Sequence, residues 1–347
     1  TIKERSHNKN RRNRGKVGDF FYNLLQFCYK IREGFIQVRV ILKAQIRKEK
    51  TKMKKIFMAI ASVVLACGIG VAAVGCGASF DAEGAINVYN REDGSGTRDA
   101  FIELIGIEKG DLIKGVAEHS STGAVLNAVA DDPQGIGYIS LGSLDDSVKA
   151  LEIDGVYPTE ATVQDGSYAV SRPFELMYQE ENDSDLLADF LVYLKSTDAQ
   201  EIIADDGYVT LGGETTAYTA HDGAFTDSDG LVIGGSTSVQ PLMIKLTEDY
   251  KAKCGQTVTL TVQGGGSGTG ISSAANGTFD IGMASKEVSQ SDFESPTGTM
   301  VVETLCNDGI AVIVSTQNPL EGLATTDLAD IYTGKVTAWS AYVETQE

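Results

Sequence analysis

From about Ala85 onward, short apolar runs rich in Val and Ile alternate with amphipathic stretches, which is the pattern of an α/β fold. The runs "AINVYN" (85–90), "GIGYISLG" (135–142), "KALEI" (149–153), "PFELMY" (173–178), "LVIGG" (231–235), "VTLTVQ" (258–263), "FDIGMA" (279–284) and "GIAVIVS" (309–315) read as strands. "DLLADFLVYLKS" sets Leu186, Leu187, Phe190, Leu191 and Leu194 on one helical stripe, and "SVQPLMIKLTEDYKAK" does the same with Val239, Leu242, Met243, Leu246 and Tyr250. Pro241 falls in the first turn of that second helix, where a missing N–H costs nothing. Residues 212–230, "GGETTAYTAHDGAFTDSDG", are polar and rich in Gly and Thr, and read as a linker. The roughly 270 residues after Cys76 suit two lobes of ordinary domain size better than one core.

The apolar pattern changes near the start. Ile56 to Gly75 is an apolar run behind the pair Lys54 and Lys55, with small residues Ala73 and Gly75 just before Cys76. Residues 53–76 therefore read as a lipoprotein signal peptide with Cys76 as lipid acceptor; Cys67 is the second candidate acceptor. A membrane-spanning helix is the alternative, since about 20 apolar residues suffice to cross. A signal peptide does not normally sit behind an extension such as residues 1–52. "RKEK", just ahead of Met53, back-translates to a purine run of ribosome-binding type, so residues 1–52 are expected to be untranslated upstream sequence; a genuine basic tail is the alternative.

Charge sharpens this division. Residues 1–55 hold 17 of the 29 basic and 4 of the 48 acidic residues, which leaves 12 against 44 from Cys76 onward, a net of −32. Such a body has no basic track with which to displace counterions, so nucleic acid is excluded as a partner. Self-repulsion favours a soluble monomer. Cys254 and Cys306 are too far apart for a CxxC motif, and read as two buried thiols, with a disulfide as the alternative in an exported compartment.

Three places share one construction, a strand, a Gly/Ser/Thr loop and an amphipathic helix: "VIGGSTSV" (232–239), "VQGGGSGTGI" (262–271) and 88–101 with "REDGSGTRDAF". At a helix start the first backbone N–H groups lack partners and the macrodipole is positive, so an anion is stabilised there without a basic side chain. Glycine admits close approach, and Ser or Thr adds donors. Each loop alone reads as an ordinary N-cap; three together, one with Arg91 and Arg98 in a body poor in basic residues, point to a bound oxyanion. Enzyme readings find no support: there is no GxxxxGK[ST], and Ser95 and Ser267 are not in GxSxG. His119 and His221 have no Cys or second His nearby, so neither a triad nor a metal cluster is expected, and both read as surface residues. No cofactor is expected.

At these loops the sequence resembles the phosphate-binding lipoproteins and periplasmic proteins that feed ABC phosphate importers. "GGSTSVQPLMIKLTEDY", "VQGGGSGTGI", "FDIGMASKE", "DGIAVIVSTQNPL", "LADIYTGKVTAWS", "REDGSGTRDAF", "IGYISLGSL" and "SRPFELMY" carry the resemblance, which covers nearly everything after residue 84. It implies a two-lobe periplasmic-binding-protein-like fold of type 2, with crossing strands as a hinge. In the usual family order "GGSTSVQP" comes first and "TGKVTAWS" leads into "REDGSGTR", so this chain looks circularly permuted. One lobe would combine 85–170 with 312–347, and the other would run over 171–311 with the linker 212–230 inside it.

The resemblance also implies site residues. Thr237 and Ser238 would bind phosphate through hydroxyl and backbone N–H, and Ser267 through its hydroxyl. Arg91 would be the cationic ligand, held by Asp93, while Ser95, Gly96 and Thr97 would offer helix-start donors. Gly268 and Thr269 would support. Some family members place an Asp where this chain has Ser285, followed by Lys286, which would face the anion. The implied function is an extracytoplasmic, lipid-anchored subunit that captures inorganic phosphate and delivers it to the membrane permease of an ABC importer. Binding of sulfate, molybdate or tungstate, a phosphate-ester enzyme and a surface interaction protein remain as alternatives.

Overall fold

The computed structural model describes residues 79–225 and 230–343. The basic segment 1–52 and the leader 53–76 expected from the sequence lie outside them, Cys76 included. Strands are β1 (Asn87–Arg91), β2 (Ala117–His119), β3 (Gly135–Ser140), β4 (Val148–Ala150), β5 (Glu152–Ile153), β6 (Ser171–Gln179), β7 (Leu231–Gly235), β8 (Leu260–Gly264), β9 (Ile281–Ala284), β10 (Met300–Ser315) and β11 (Gly322–Leu323). Helices are α1 (Gly96–Leu104), α2 (Thr122–Ala130), α3 (Glu160–Gln164), α4 (Asp185–Leu194), α5 (Thr197–Asp205), α6 (Gln240–Lys253), α7 (Ser267–Ala275) and α8 (Thr325–Tyr332).

The main sheet runs β2-β1-β3-β10-β6-β9-β7-β8, with β4 also paired to β10. Its two ends are parallel triplets, β2-β1-β3 and β9-β7-β8, as short crossovers through helices require. They are joined by the antiparallel strands β6 and β10. At about 3.3 Å per residue β10 is about 50 Å long. Its first part, Met300 to Gly309, pairs with β6, and its last part, Ile310 to Val314, pairs with β3. The apolar run "GIAVIVS" predicts only that last part. The preceding "MVVETLCND" mixes polar and apolar residues because one face is only half covered.

Two large cores flank this crossing. Phe101, Ile136, Tyr138, Val312, Leu328 and Trp339 meet in one. Phe174, Phe190, Ile233, Leu246, Tyr250 and Leu305 meet in the other. Burying a side chain of this size contributes about 1.5–3 kcal/mol, so each core holds its helices to the sheet. The predicted stripes are the buried faces of α4 and α6, apart from Leu191, which is half-buried. Cys254 and Cys306 are buried and unpaired. The polar gap at 212–225 has no regular structure, yet it is pinned: the Tyr218 hydroxyl donates to Asp189 at 2.6 Å, its N–H donates to Asp198 at 2.7 Å, and its ring meets Tyr193 and Tyr250.

Where β6 and β10 cross, Arg172 lies opposite Asp308 and donates to it at 3.1 Å, with both side chains buried. The Ser140 hydroxyl donates to the same carboxylate at 2.9 Å. Burial pushes the Asp308 carboxyl up to about 6, against the opposing pull of Arg172.

Candidate anion-binding site

Five strand ends supply the site. The loops after β1, β2, β7 and β8 lead into α1, α2, α6 and α7, and Ser285 follows β9 directly. This is the carboxyl edge of both parallel triplets, where open α/β sheets present ligand sites. Four helix starts therefore lie on this edge, each turning the positive end of its dipole toward it.

Local chemistry explains how the loops are shaped. Ser95 caps α1 by accepting the Arg98 N–H at 3.3 Å, which leaves its own proton to donate. Gly94 makes the preceding turn at φ +84°. Ser236 accepts the N–H groups of Ser238 at 3.2 Å and Val239 at 3.4 Å, so it opens the turn into α6. A Cβ on Gly96 would collide with the Ser267 hydroxyl, so glycine is what lets α1 approach α7.

Arg91 is 1% exposed, with its guanidinium at the meeting point of these loops. Nε donates to Glu92 Oε2 at 3.0 Å and to the His119 carbonyl at 3.1 Å. Nη2 donates to Glu92 Oε1 at 3.0 Å and to Thr237 Oγ1 at 3.1 Å, and Nη1 donates to Thr122 Oγ1 at 3.4 Å. Its backbone N–H donates to Tyr138, whose phenol burial pushes up, so it stays protonated and donates in turn to Asn90.

Around Arg91 lies a cluster of buried hydroxyls. Ser238 Oγ is 2.9 Å from both Thr97 Oγ1 and Thr122 Oγ1. Ser285 Oγ accepts from Ser236 Oγ at 2.9 Å and lies 3.4 Å from Thr97 Oγ1 and from Ser267 Oγ. The Ser285 N–H donates to Ser267 Oγ at 3.1 Å. An arginine with its charge kept from water and a set of short hydroxyl donors is suited to bind a compact oxyanion.

The structure thus brings together Arg91, Ser95, Gly96, Thr97, Thr237, Ser238, Ser267 and Ser285, and departs from the expectations in several details. Asp93 does not hold Arg91. Its side chain is 78% exposed beyond the end of β1 and pairs with Arg98 at 2.9 Å and Lys109 at 3.4 Å, while Glu92 takes Arg91. Lys286 does not face the anion position, because Asp292 at 3.3 Å and Asp99 at 3.6 Å engage its ammonium. The Ser238 N–H is spent on Ser236, and the Gly268 N–H on the Gly94 carbonyl at 3.0 Å. Neither histidine is a surface residue: His119 is half-buried with its carbonyl on Arg91, and His221 is half-buried against the Phe225 ring. Thr269 bonds its own loop at Gly265.

Two site residues escape the sequence reading, Ser236 and Thr122. Ser236 stands inside the quoted "GGSTSV". Thr122 belongs to a fourth loop of the same construction, "HSSTGAV" (119–125), which is missed because β2, "AEH", is short and lacks an apolar run. Among the described residues no group of three or more His, Cys, Asp or Glu converges to hold a metal ion.

A family model described as a PBP superfamily domain matches residues 77–198 and 212–346. Phosphate-binding protein PstS 2 of Streptococcus agalactiae is 41% identical over 283 residues, covering 79% of this chain and 93% of that protein. The protein of the same name from Streptococcus pneumoniae is 40% identical over 298 residues, covering 83% and 98%. The crystal structure of a phosphate ABC transporter, phosphate-binding protein from Streptococcus pneumoniae TIGR4, is similar with a TM-score of 0.59 at 39% identity, covering 75% of this chain and 100% of that one. Single alignments run through nearly the whole of both streptococcal proteins, so the segment order here is also theirs. By its fold, its segments and the family model, the chain belongs to the PBP superfamily and, within it, to the PstS phosphate-binding proteins.

Proposed function

We propose that this chain is the solute-binding subunit of an ABC importer and captures inorganic phosphate at Arg91 and the surrounding hydroxyls. The observation that carries the reading is the convergence of four helix starts on one buried arginine in a body of net −32. Such a protein holds an anion by local dipoles and one charge, not by its overall field. In this reading 85–170 with 312–347 form one lobe, 171–311 form the other, and β6 and β10 are the hinge. Arg91, Ser95, Gly96 and Thr97 come from the first, and Thr237, Ser238, Ser267 and Ser285 from the second, so the anion draws the lobes together. No catalytic step is involved. The reading extends to a monomer outside the cytoplasm, anchored through lipid on Cys76 and delivering phosphate to a membrane permease. It also includes a segment order permuted relative to family members that begin with the "GGSTSVQP" segment.

A second reading within the class has its own motive. Ser285 stands where a carboxylate would reject a fully deprotonated anion, so sulfate, molybdate or tungstate meets no like charge there. Calorimetric titration with phosphate and each of these anions tests both readings. Phosphate is expected to bind most tightly and to reduce the radius of gyration in solution scattering. Absence of binding by every oxyanion would overturn the function.

A further inference from the structure

Thr122 is buried at the start of α2, and the short segment that carries it wraps the far side of Arg91. His119 supplies a carbonyl to Nε at 3.1 Å, and Thr122 Oγ1 accepts from Nη1 at 3.4 Å. A guanidinium offers only donors, so Thr122 can only accept from it and must direct its own proton elsewhere. Ser238 Oγ, 2.9 Å away, is the acceptor within reach. Having accepted, Ser238 turns its own proton toward Thr97 Oγ1 at 2.9 Å or toward a bound anion. With Thr122 as the donor to Ser238, the direction of this chain is set at Arg91 and transmitted by Thr122, across from the segment after β2 to the segment after β7.

We propose that Thr122 is a positioning residue of the anion site: it holds the Arg91 guanidinium in place and orders the neighbouring hydroxyls so that they present protons to the anion. Without it Ser238 is free to turn its lone pairs toward an oxyanion, which repels instead of binding. The ordering is cooperative, since each polarised hydroxyl strengthens the next. This inference rests on the phosphate reading above and adds a residue and a loop to it.

The test is calorimetric titration with inorganic phosphate of the wild type, Thr122→Ser, Thr122→Val and Thr122→Ala, with thermal melts of each. Val and Ala remove the hydroxyl with and without the branch, so a folding failure in one leaves the other to decide. Affinity is expected to fall about tenfold in both, the equivalent of about 1.4 kcal/mol, and to stay within about threefold in Thr122→Ser. In an Arg91→Lys background, which lacks the planar fork, Thr122→Val should cost less than half as much on the logarithmic scale, because the two residues act through one bond. Affinity within about twofold of wild type in both hydroxyl-free variants, equal losses in Ser and Val, or full additivity with Arg91→Lys would each overturn the proposal. Wild-type protein that takes up no phosphate overturns the underlying function, and this proposal with it.

Discussion

Two buried arginines sit in this molecule under opposite arrangements. Arg91 shares its donors among Glu92, the His119 carbonyl, Thr122 and Thr237, and its carboxylate partner is 28% exposed. Arg172 makes a single short bond to a fully buried carboxylate, and its Nε and Nη1 have no hydrogen-bond partner; its guanidinium instead lies 5.6 Å from the centre of the Phe174 ring. The difference separates a charge kept in reserve from a charge locked away. Water screens Glu92, so under the proposed function an arriving anion would compete with it for Arg91 at modest cost. Asp308 is beyond the reach of solvent, so its pair with Arg172 fixes how β6 crosses β10 and cannot be exchanged.

The contrast is open to direct attack. Arg172→Met strands Asp308 in the interior and should lower the unfolding free energy near neutral pH by about 3–5 kcal/mol. Desolvation already raises the folded-state pKa of Asp308 to about 6, above its unfolded value, and losing Arg172 raises it further. A group raised in this way contributes most stability below its unfolded pKa and loses it as pH rises through the folded one. The deficit of the variant should therefore be largest at alkaline pH, shrink as pH falls through the variant's own raised pKa toward about 6, and level off below it, where Asp308 is protonated in both proteins. Denaturant melts of both proteins from acid to alkaline pH measure it, and a deficit that does not change with pH contradicts the assignment.

Arg91→Ala should act the other way, leaving the fold and removing the binding. Losing a charge-assisted bond of about 1.5–3 kcal/mol and leaving the anion unpaired should weaken phosphate by about a hundredfold. Near-wild-type affinity in that variant would remove Arg91 from the site. The smallest effect concerns Ser285, which already accepts from Ser236 and so has its own proton to offer. Ser285→Asp should raise the preference for phosphate over sulfate about tenfold, since a carboxylate accepts a proton that phosphate carries and sulfate lacks. Competition titrations read the ratio, and an unchanged ratio would show that Ser285 does not touch the anion.

The fold was legible where chemistry repeats at short range. Alternating or continuous Val and Ile runs mark strands, and "GGSTSV", "GGGSGT" and "DGSGT" mark helix starts, because backbone geometry and capping are local matters. Pairings across the fold were not legible. Glu92 and Asp93 are adjacent carboxylates, and the one that reaches Arg91 is Glu92, while Asp93 turns to Arg98. Lys286 follows Ser285 directly, yet it is taken by Asp292 and by Asp99, the latter far off in the chain. Arg172 and Asp308 meet only because β6 and β10 pair in one register. Thr122 stayed hidden because a three-residue strand leaves no period to read.

Strand β10 has a consequence for how the molecule is assembled. Its residues Leu305 and Val312 lie in different cores, so the two cores share one continuous piece of backbone. Either core can close only after partners distant in sequence have found that strand, β3 on one side and β6 on the other. Contacts of such long loop length form slowly, because chain entropy is spent before the contacts repay it. Once formed, a slip by one residue would turn the buried side chains of both cores toward the wrong face at once. The strand proposed as a hinge is therefore also the seam that should make the two cores melt together.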